Sequence, residues 1–206
     1  MEPKWLGWAQ RLQALSQSGL TYTQSPFEIE RFEEVRAIAA EMMGALFELE
    51  PAPLVARFTA EKGYATPKVD VRGVVFSEQK LLFVKEKRDG LWTLPGGWAD
   101  VGDTPRQAVE REILEESGYI ARAFKLLAVW DRRRHGHPTT ALFHIYKLFI
   151  QCELVGGAPA DSIETEGARF FGESEIPPLS MPRVTAQQVE RLFAHLRHPE
   201  WPADFD

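Results

Sequence analysis

The sequence predicts an α+β protein: a mixed sheet held between helices as an α/β/α sandwich, preceded by a small all-helical domain over residues 1–62. Apolar residues recur at three- and four-residue spacing through the front of the chain, which is a helical period. After the turn-rich "GYATPK", residues 63–68, the pattern changes to short runs rich in Val, Leu and Phe. Those runs alternate irregularly with helical segments across hairpin-sized gaps, which argues against a doubly wound parallel sheet. The second domain is taken as residues 66–206.

In the front domain, Trp5, Leu6, Trp8, Leu12, Leu15 and Leu20 mark a first helix, with Gly19 placed as its C-cap. "SPFE" then reads as a new start: Ser25 as N-cap, Pro26 at the first helical position, Glu28 closing a capping box. Phe27, Ile29, Phe32, Val35, Ile38, Met42 and Leu46 continue that helix to about Glu48. Pro51 and Pro53 interrupt it, and "PLVARFTAEK" predicts a short third helix. Stripes this broad exceed what a unit of this size buries by itself, which predicts a homodimer through these helices.

In the second domain "KVDVRGVVF" and "KLLFVKE", joined by "SEQ", read as strands, and "LWTLP" as a third. Thr104, Pro105 and Gln107 mark the start of a helix over 105–117, and Gly118 marks its end. "ARAFKLLAVWD", "TALFHIYKLFIQCELV" and "ARFFGESEI" follow as strands, and "TAQQVERLFAHL" as a closing amphipathic helix.

At 44% hydrophobic and 26% charged, the 206 residues can bury a core as an ordinary globular chain does. A net charge of −6 argues against a nucleic-acid partner. The single cysteine, Cys152, excludes an intramolecular disulfide and a multi-cysteine metal site; its apolar neighbours predict a buried, inert thiol. No run approaches the roughly 18 apolar residues of a membrane helix, and the start lacks a signal-peptide pattern, so the expectation is cytoplasmic with no membrane partner.

The chemistry concentrates in "LPGGWADVGDTPRQAVEREILEESGY". At about 100° per residue, Glu112, Glu115 and Glu116 fall within an arc of about 100° on one helix face, while Glu110 points elsewhere. Like charges so placed repel, and a hard divalent cation with oxygen ligands, Mg²⁺, removes the conflict. The preceding "PGG" lets backbone approach such an ion with no Cβ in the way. On the helix alone a solvated acidic face remains the competing reading.

The order of features resembles the Nudix box. Gly97 is followed after five residues by Asp103, and after seven more by "REILEESGY", so Gly97, Arg111, Glu112, Ile113, Glu115, Glu116, Gly118 and Tyr119 all match. The one departure is Asp103, where the family has glutamate. The front half is similar to the N-terminal region of bacterial Nudix hydrolases of X-linked nucleoside diphosphates, ADP-ribose or CDP-choline pyrophosphatases among them.

The resemblance implies a pyrophosphohydrolase that uses water as nucleophile and Mg²⁺, or Mn²⁺, as cofactor, with a small-molecule nucleoside diphosphate derivative as its partner. It implies Glu112 and Glu116 as metal ligands, Glu115 as a third, and the Gly96 carbonyl as a backbone ligand. Arg111 becomes an orienting ion-pair residue that Asp103 supports. The general base is expected in "DSIETEGARFF", with Glu164 preferred to Glu166.

Substrate contacts are read from single residues. Asp70 and Arg72 share a strand face by period-two alternation; Arg72 is a candidate phosphate clamp, against an exposed salt pair. "DRRRHGHP" offers Arg132, Arg133, Arg134, His135 and His137, with Arg132 the candidate contact, against a solvated loop. Trp98 is a candidate to stack on a base, against packing in the core. The alternative functions are a nucleoside triphosphate or RNA-end hydrolase of the same fold, and a non-hydrolysing nucleotide sensor.

Overall fold

The computed structural model describes residues 3–138 and 141–206. The chain divides into two compact units, Met1–Pro67 with Thr139–His144, and Lys68–Pro138 with Ile145–Asp206.

The first unit is helical: α1 (Lys4–Tyr22), α2 (Pro26–Phe47) and α3 (Pro51–Ala60). Leu6, Ala9, Ala40, Met43, Leu54 and Phe58 form its buried centre, and Leu142 and Phe143 pack against it from residues far along the chain. The Phe58 and Phe143 rings meet edge to face at 6.0 Å, and Gln10 Nε2 donates to the Ala141 carbonyl at 3.0 Å.

Two local expectations are corrected here. Gly19 does not cap α1, which runs on to Tyr22. A Cβ at Gly19 would sit 2.4 Å from the Phe32 ring, so the glycine serves the close approach of α1 and α2. Ser25 holds the N-cap position of α2 without a side-chain bond; the Glu28 carboxylate instead accepts from the Thr23 hydroxyl.

The second unit carries β1 (Lys68–Ser77), β2 (Lys80–Glu86), β3 (Trp92–Thr93), α4 (Pro105–Ser117), β4 (Tyr119–Asp131), β5 (Ile145–Gly157), β6 (Thr165–Phe171), α5 (Ala186–Arg197) and β7 (Asp204–Phe205). The strand order is β3-β2-β1-β5-β4-β7, with β6 on β2. β1 and β5 run parallel while β4–β5 and β2–β6 are antiparallel, so the sheet is mixed. Val71, Val75, Val109 and Ile113 belong to one buried core, beneath α4. Val74, Phe149, Val189 and Phe193 belong to another, beneath α5. Helices on both faces of a mixed sheet make the expected sandwich, and no helix among the described residues is long and apolar enough to cross a membrane.

The strand expected over 140–155 begins only at Ile145, because 141–144 belong to the helical unit; Thr140 lies outside the described residues. The strand expected at "LWTLP" shrinks to Trp92–Thr93, paired with β2, because the chain then crosses to β1. β1 and β2 themselves pair only at Phe76–Leu81 and Ser77–Lys80. Beyond that point the hairpin opens and the chain after β3 enters the gap. Val71 N–H donates to Gly97 O at 2.8 Å, Gly73 N–H to Pro95 O at 2.8 Å, and Ala99 N–H to Val69 O at 3.0 Å. The opening of the hairpin is what seats the glycine-rich segment along β1.

Candidate active site

Helix α4 is fixed at both ends. Thr104 and Gln107 form a reciprocal capping box, and Gly118 closes the helix in the left-handed region at φ 74°. Val109 and Ile113 anchor its apolar side to the sheet, which turns Glu112 and Glu116 toward the glycine segment. Gly96, at φ 141°, lies so close to β1 that a Cβ would stand 2.1 Å from the Val71 carbonyl oxygen. A Cβ on Gly97 would stand 3.1 Å from the Glu112 carboxylate. The seat of residue 96 against β1 is one that only glycine permits, while a side chain at 97 would require the Glu112 carboxylate to give way.

The three glutamates occupy different environments. Glu116 is 7% exposed, and its Oε2 accepts the Gly96 N–H at 2.8 Å. Burial pushes its carboxyl up to about 8, against the pull of Arg72. Burial also raises Glu112, with Arg111 opposing. Glu115 stands out toward solvent.

Arg111 holds the outer carboxylates together. Its Nη1 lies 2.9 Å from Glu112 Oε1 and 3.1 Å from Glu115 Oε2, its Nη2 3.2 Å from Asp100 Oδ2, and its Nε 3.3 Å from Asp103 Oδ2. Among the described residues no three acidic, cysteine or histidine side chains already surround one point as a metal cage would. The donor chemistry nonetheless fits a hard cation. Glu112 and Glu116 supply carboxylate oxygen, the Gly96 backbone has no Cβ to screen it, and a buried carboxyl that resists ionisation gains most from a cation.

Arg72 is on the face expected, but the exposed salt pair is corrected to a buried one. Its Nε and Nη2 donate to the two Asp70 oxygens at 2.8 and 2.7 Å, and its Nη1 to the Leu94 carbonyl at 3.1 Å. Lys147 Nζ reaches Asp70 Oδ1 at 2.6 Å. Burial alone would raise Asp70; the two cations hold it at about 2.

Glu164 and Glu166 separate physically. Glu166 faces Lys85, Nζ to Oε1 2.7 Å. Glu164 precedes β6 and is close enough to Glu86 for their charges to interact. Trp98 is 52% exposed rather than packed in the core.

The basic stretch is corrected as well. Asp131 and the short 3-10 turn Arg132–Arg134 fold it inward. Arg132 is buried, its Nη2 donating to the Pro138 and Pro182 carbonyls at 3.2 and 3.4 Å. Arg133 pairs with Asp131, His135 with Asp206, and His137 bonds the Met181 carbonyl. Arg134 alone of the five is exposed.

Four polar residues near these groups were not singled out from the sequence. Glu86 is buried at the end of β2 and paired with Arg183, Nε to Oε1 2.7 Å. Lys147 and Thr165 are buried too. A charge interrupting the apolar runs "KLLFVKE" and "IYKLFIQ" is the only signal that could have marked Glu86 and Lys147; Thr165 and Arg183 have none.

Comparison with known proteins follows the same division of the chain. Residues 3–58 match the UDP-X-like, N-terminal oligomerisation domain, and residues 66–192 match the NUDIX domain. A Bacillus subtilis (strain 168) protein provisionally named ADP-ribose pyrophosphatase YjhB is 44% identical over 206 residues, 100% of this chain and 99% of that one. A crystal structure of a UDP-X diphosphatase aligns with TM-score 0.64 at 30% identity, covering 98% of each chain. A crystal structure of an ADP-ribose pyrophosphatase from Streptococcus suis 89-1591 aligns with TM-score 0.63 at 37% identity, covering 68% of this chain and 100% of the other. A glutamate helix capped at both ends, a glycine segment seated beside it and these likenesses agree: the chain belongs to the NUDIX family and carries the UDP-X-like N-terminal domain in front of its NUDIX domain.

Proposed function

We propose that the chain is a Mg²⁺-dependent pyrophosphohydrolase that cleaves the diphosphate of a nucleoside diphosphate linked to a second group, of the ADP-ribose or CDP-choline kind. The observation that carries this reading is the buried Glu116 carboxyl, bonded to Gly96 N–H beside Glu112. The names of the whole-length relatives support the substrate class.

In this reading Glu112 and Glu116, with Glu115 and the Gly96 carbonyl, hold the ion, Mn²⁺ being the alternative. The bound ion neutralises the diphosphate and makes a water easier to deprotonate. Arg111 keeps Glu112 and Glu115 in place while the ion is absent. Glu164 takes the proton of the attacking water, because Lys85 already engages Glu166. Arg72, held bidentately by Asp70, directs positive charge toward the phosphates, and the exposed Trp98 ring is offered to a base.

The same proposal places a homodimer at the helical unit. Trp8, Leu15 and Tyr22, all exposed, stand seven residues apart on α1 and so share one face.

The test is phosphate release, after coupled phosphatase treatment, from ADP-ribose, CDP-choline, a nucleotide sugar, a dinucleoside polyphosphate and nucleoside triphosphates. Cleavage of a linked diphosphate, reduced about 100-fold or more by Glu116→Gln, is expected. Preference for triphosphates, or turnover indifferent to Glu116→Gln, would overturn it. Glu164→Gln should lower kcat and leave Mg²⁺ binding intact.

A further inference from the structure

The loop that carries Glu164 is tied to helix α4 by hydroxyl groups. Thr165, fully buried, donates its Oγ1 proton to the Glu116 carbonyl oxygen at 2.6 Å. That carbonyl lies in the last turn of α4, where backbone acceptors have no partner within the helix. Thr165 Oγ1 and Ser162 Oγ are 2.8 Å apart. Since the threonine proton is committed to Glu116, the serine hydroxyl donates across this contact. Ser162 Oγ in turn accepts the backbone N–H of Glu164 at 3.1 Å and of Thr165 at 2.9 Å.

The result is one directed series of hydrogen bonds from the Glu164 backbone, through two hydroxyls, to the Glu116 backbone. Further bonds hold the loop: Ser162 N–H to Thr165 O at 3.0 Å, Lys87 N–H to Glu164 O at 2.9 Å, Lys87 Nζ to the Ser162 carbonyl, and Gly167 N–H to Asp161 Oδ1 at 2.7 Å. Thr165 lies opposite Glu86 across the β2–β6 ladder, so its side chain points inward while Glu166 points to Lys85.

We propose that Thr165 is a positioning residue for hydrolysis: with Ser162 it fixes the distance between Glu164 and Glu116, and it touches neither water nor substrate. The inference rests on the reading of Glu164 as the base and Glu116 as a metal ligand. A base that must reach a water held near Glu116 loses rate steeply when displaced by about 1 Å, on the order of 100-fold. Two hydroxyls joining the two backbones supply that fixity, and a loop held only through β2 would not.

The test is steady-state kinetics of the full chain on the linked diphosphate it cleaves best. Thr165→Val keeps the shape and removes the hydroxyl; it is expected to lower kcat about tenfold or more while KM stays within about twofold. Thr165→Ser restores the hydroxyl and is expected to recover most of the loss. In a Glu164→Gln background Thr165→Val is expected to add no further loss, since its effect passes through Glu164. Ser162→Ala removes the central hydroxyl from a less buried position, should lower kcat in the same way, and carries the test if Thr165→Val fails to fold.

Parent-like kcat in Thr165→Val, equal impairment by Thr165→Ser, or a full additional loss on top of Glu164→Gln would each overturn the proposal. Full turnover in Glu164→Gln alone would overturn the assignment of the base, an outcome separable from the others because it needs no change at Thr165.

Discussion

Four carboxylates lie within 3.3 Å of the Arg111 guanidinium, which bears directly on the one departure from the Nudix pattern. Asp103 is a methylene shorter than glutamate, yet its Oδ2 already reaches Arg111 Nε, and Asp100 adds a second carboxylate from the same loop. Asp103→Glu is therefore expected to change kcat/KM by no more than about threefold, since the carboxylate charge is kept and a half-buried ion pair reinforced by a second carboxylate is worth only about 1 kcal/mol. A gain above tenfold in the phosphate-release assay would show that aspartate handicaps the box. At this scale the glutamate face was legible because helical geometry fixes direction at every residue. Glu86 and Arg183 were not, because they pair across nearly a hundred residues of sequence and neither lies in a local motif.

Among the elements, β7 shows how a two-residue strand is retained. Asp204 Oδ2 and Oδ1 accept from Arg191 Nε and Nη2 at 2.6 and 2.7 Å, and His195 Nε2 lies 3.0 Å from Oδ2. The hydrogen bonds from Arg191 hold the Asp204 carboxyl below its ordinary value, with burial opposing. A depressed folded-state pKa contributes stability above the unfolded value of about 3.9, and that contribution is lost as pH falls through the folded value. Asp204→Asn should thus lower stability by about 2 kcal/mol at pH 7, with the gap to the parent closing below about pH 4. Urea unfolding of both proteins at the two pH values measures it. Helix α4 was legible end to end because the Thr104–Gln107 capping box and the terminal Gly118 stand at fixed offsets in the sequence. The short β3 was not, because "LWTLP" has strand composition throughout, while the chain leaves β2 after Thr93 and bonds β1 from Pro95 onward.

For the molecule as a whole, the proposed dimer has the exposed α1 face of Trp8, Leu15 and Tyr22 as its interface. Leu15→Glu is expected to convert the proposed dimer to monomer by light scattering at micromolar concentration, leaving the fold intact by circular dichroism. A parent protein that is already monomeric would refute the dimer. The change of pattern at 63–68 lies where the two compact units divide, between Pro67 and Lys68. The return of 141–144 to the helical unit was not readable, because "ALFHIYKLF" is mostly apolar and nothing in it separates Leu142 and Phe143 from the strand that follows.

That return gives the chain a topology unlike two beads on a string. The helical unit is joined to the rest three times, after Pro67, before Thr139 and after His144. Leu142 and Phe143 plug its centre from the interior of the NUDIX sequence. Cutting the gene at residue 67 would not yield two independent proteins: one fragment would lack its plug, and the other would display an uncovered leucine and phenylalanine between its two longest strands. Removing residues 1–67 from this chain is therefore expected to call for polar replacements at Leu142 and Phe143 in the β4–β5 connection as well.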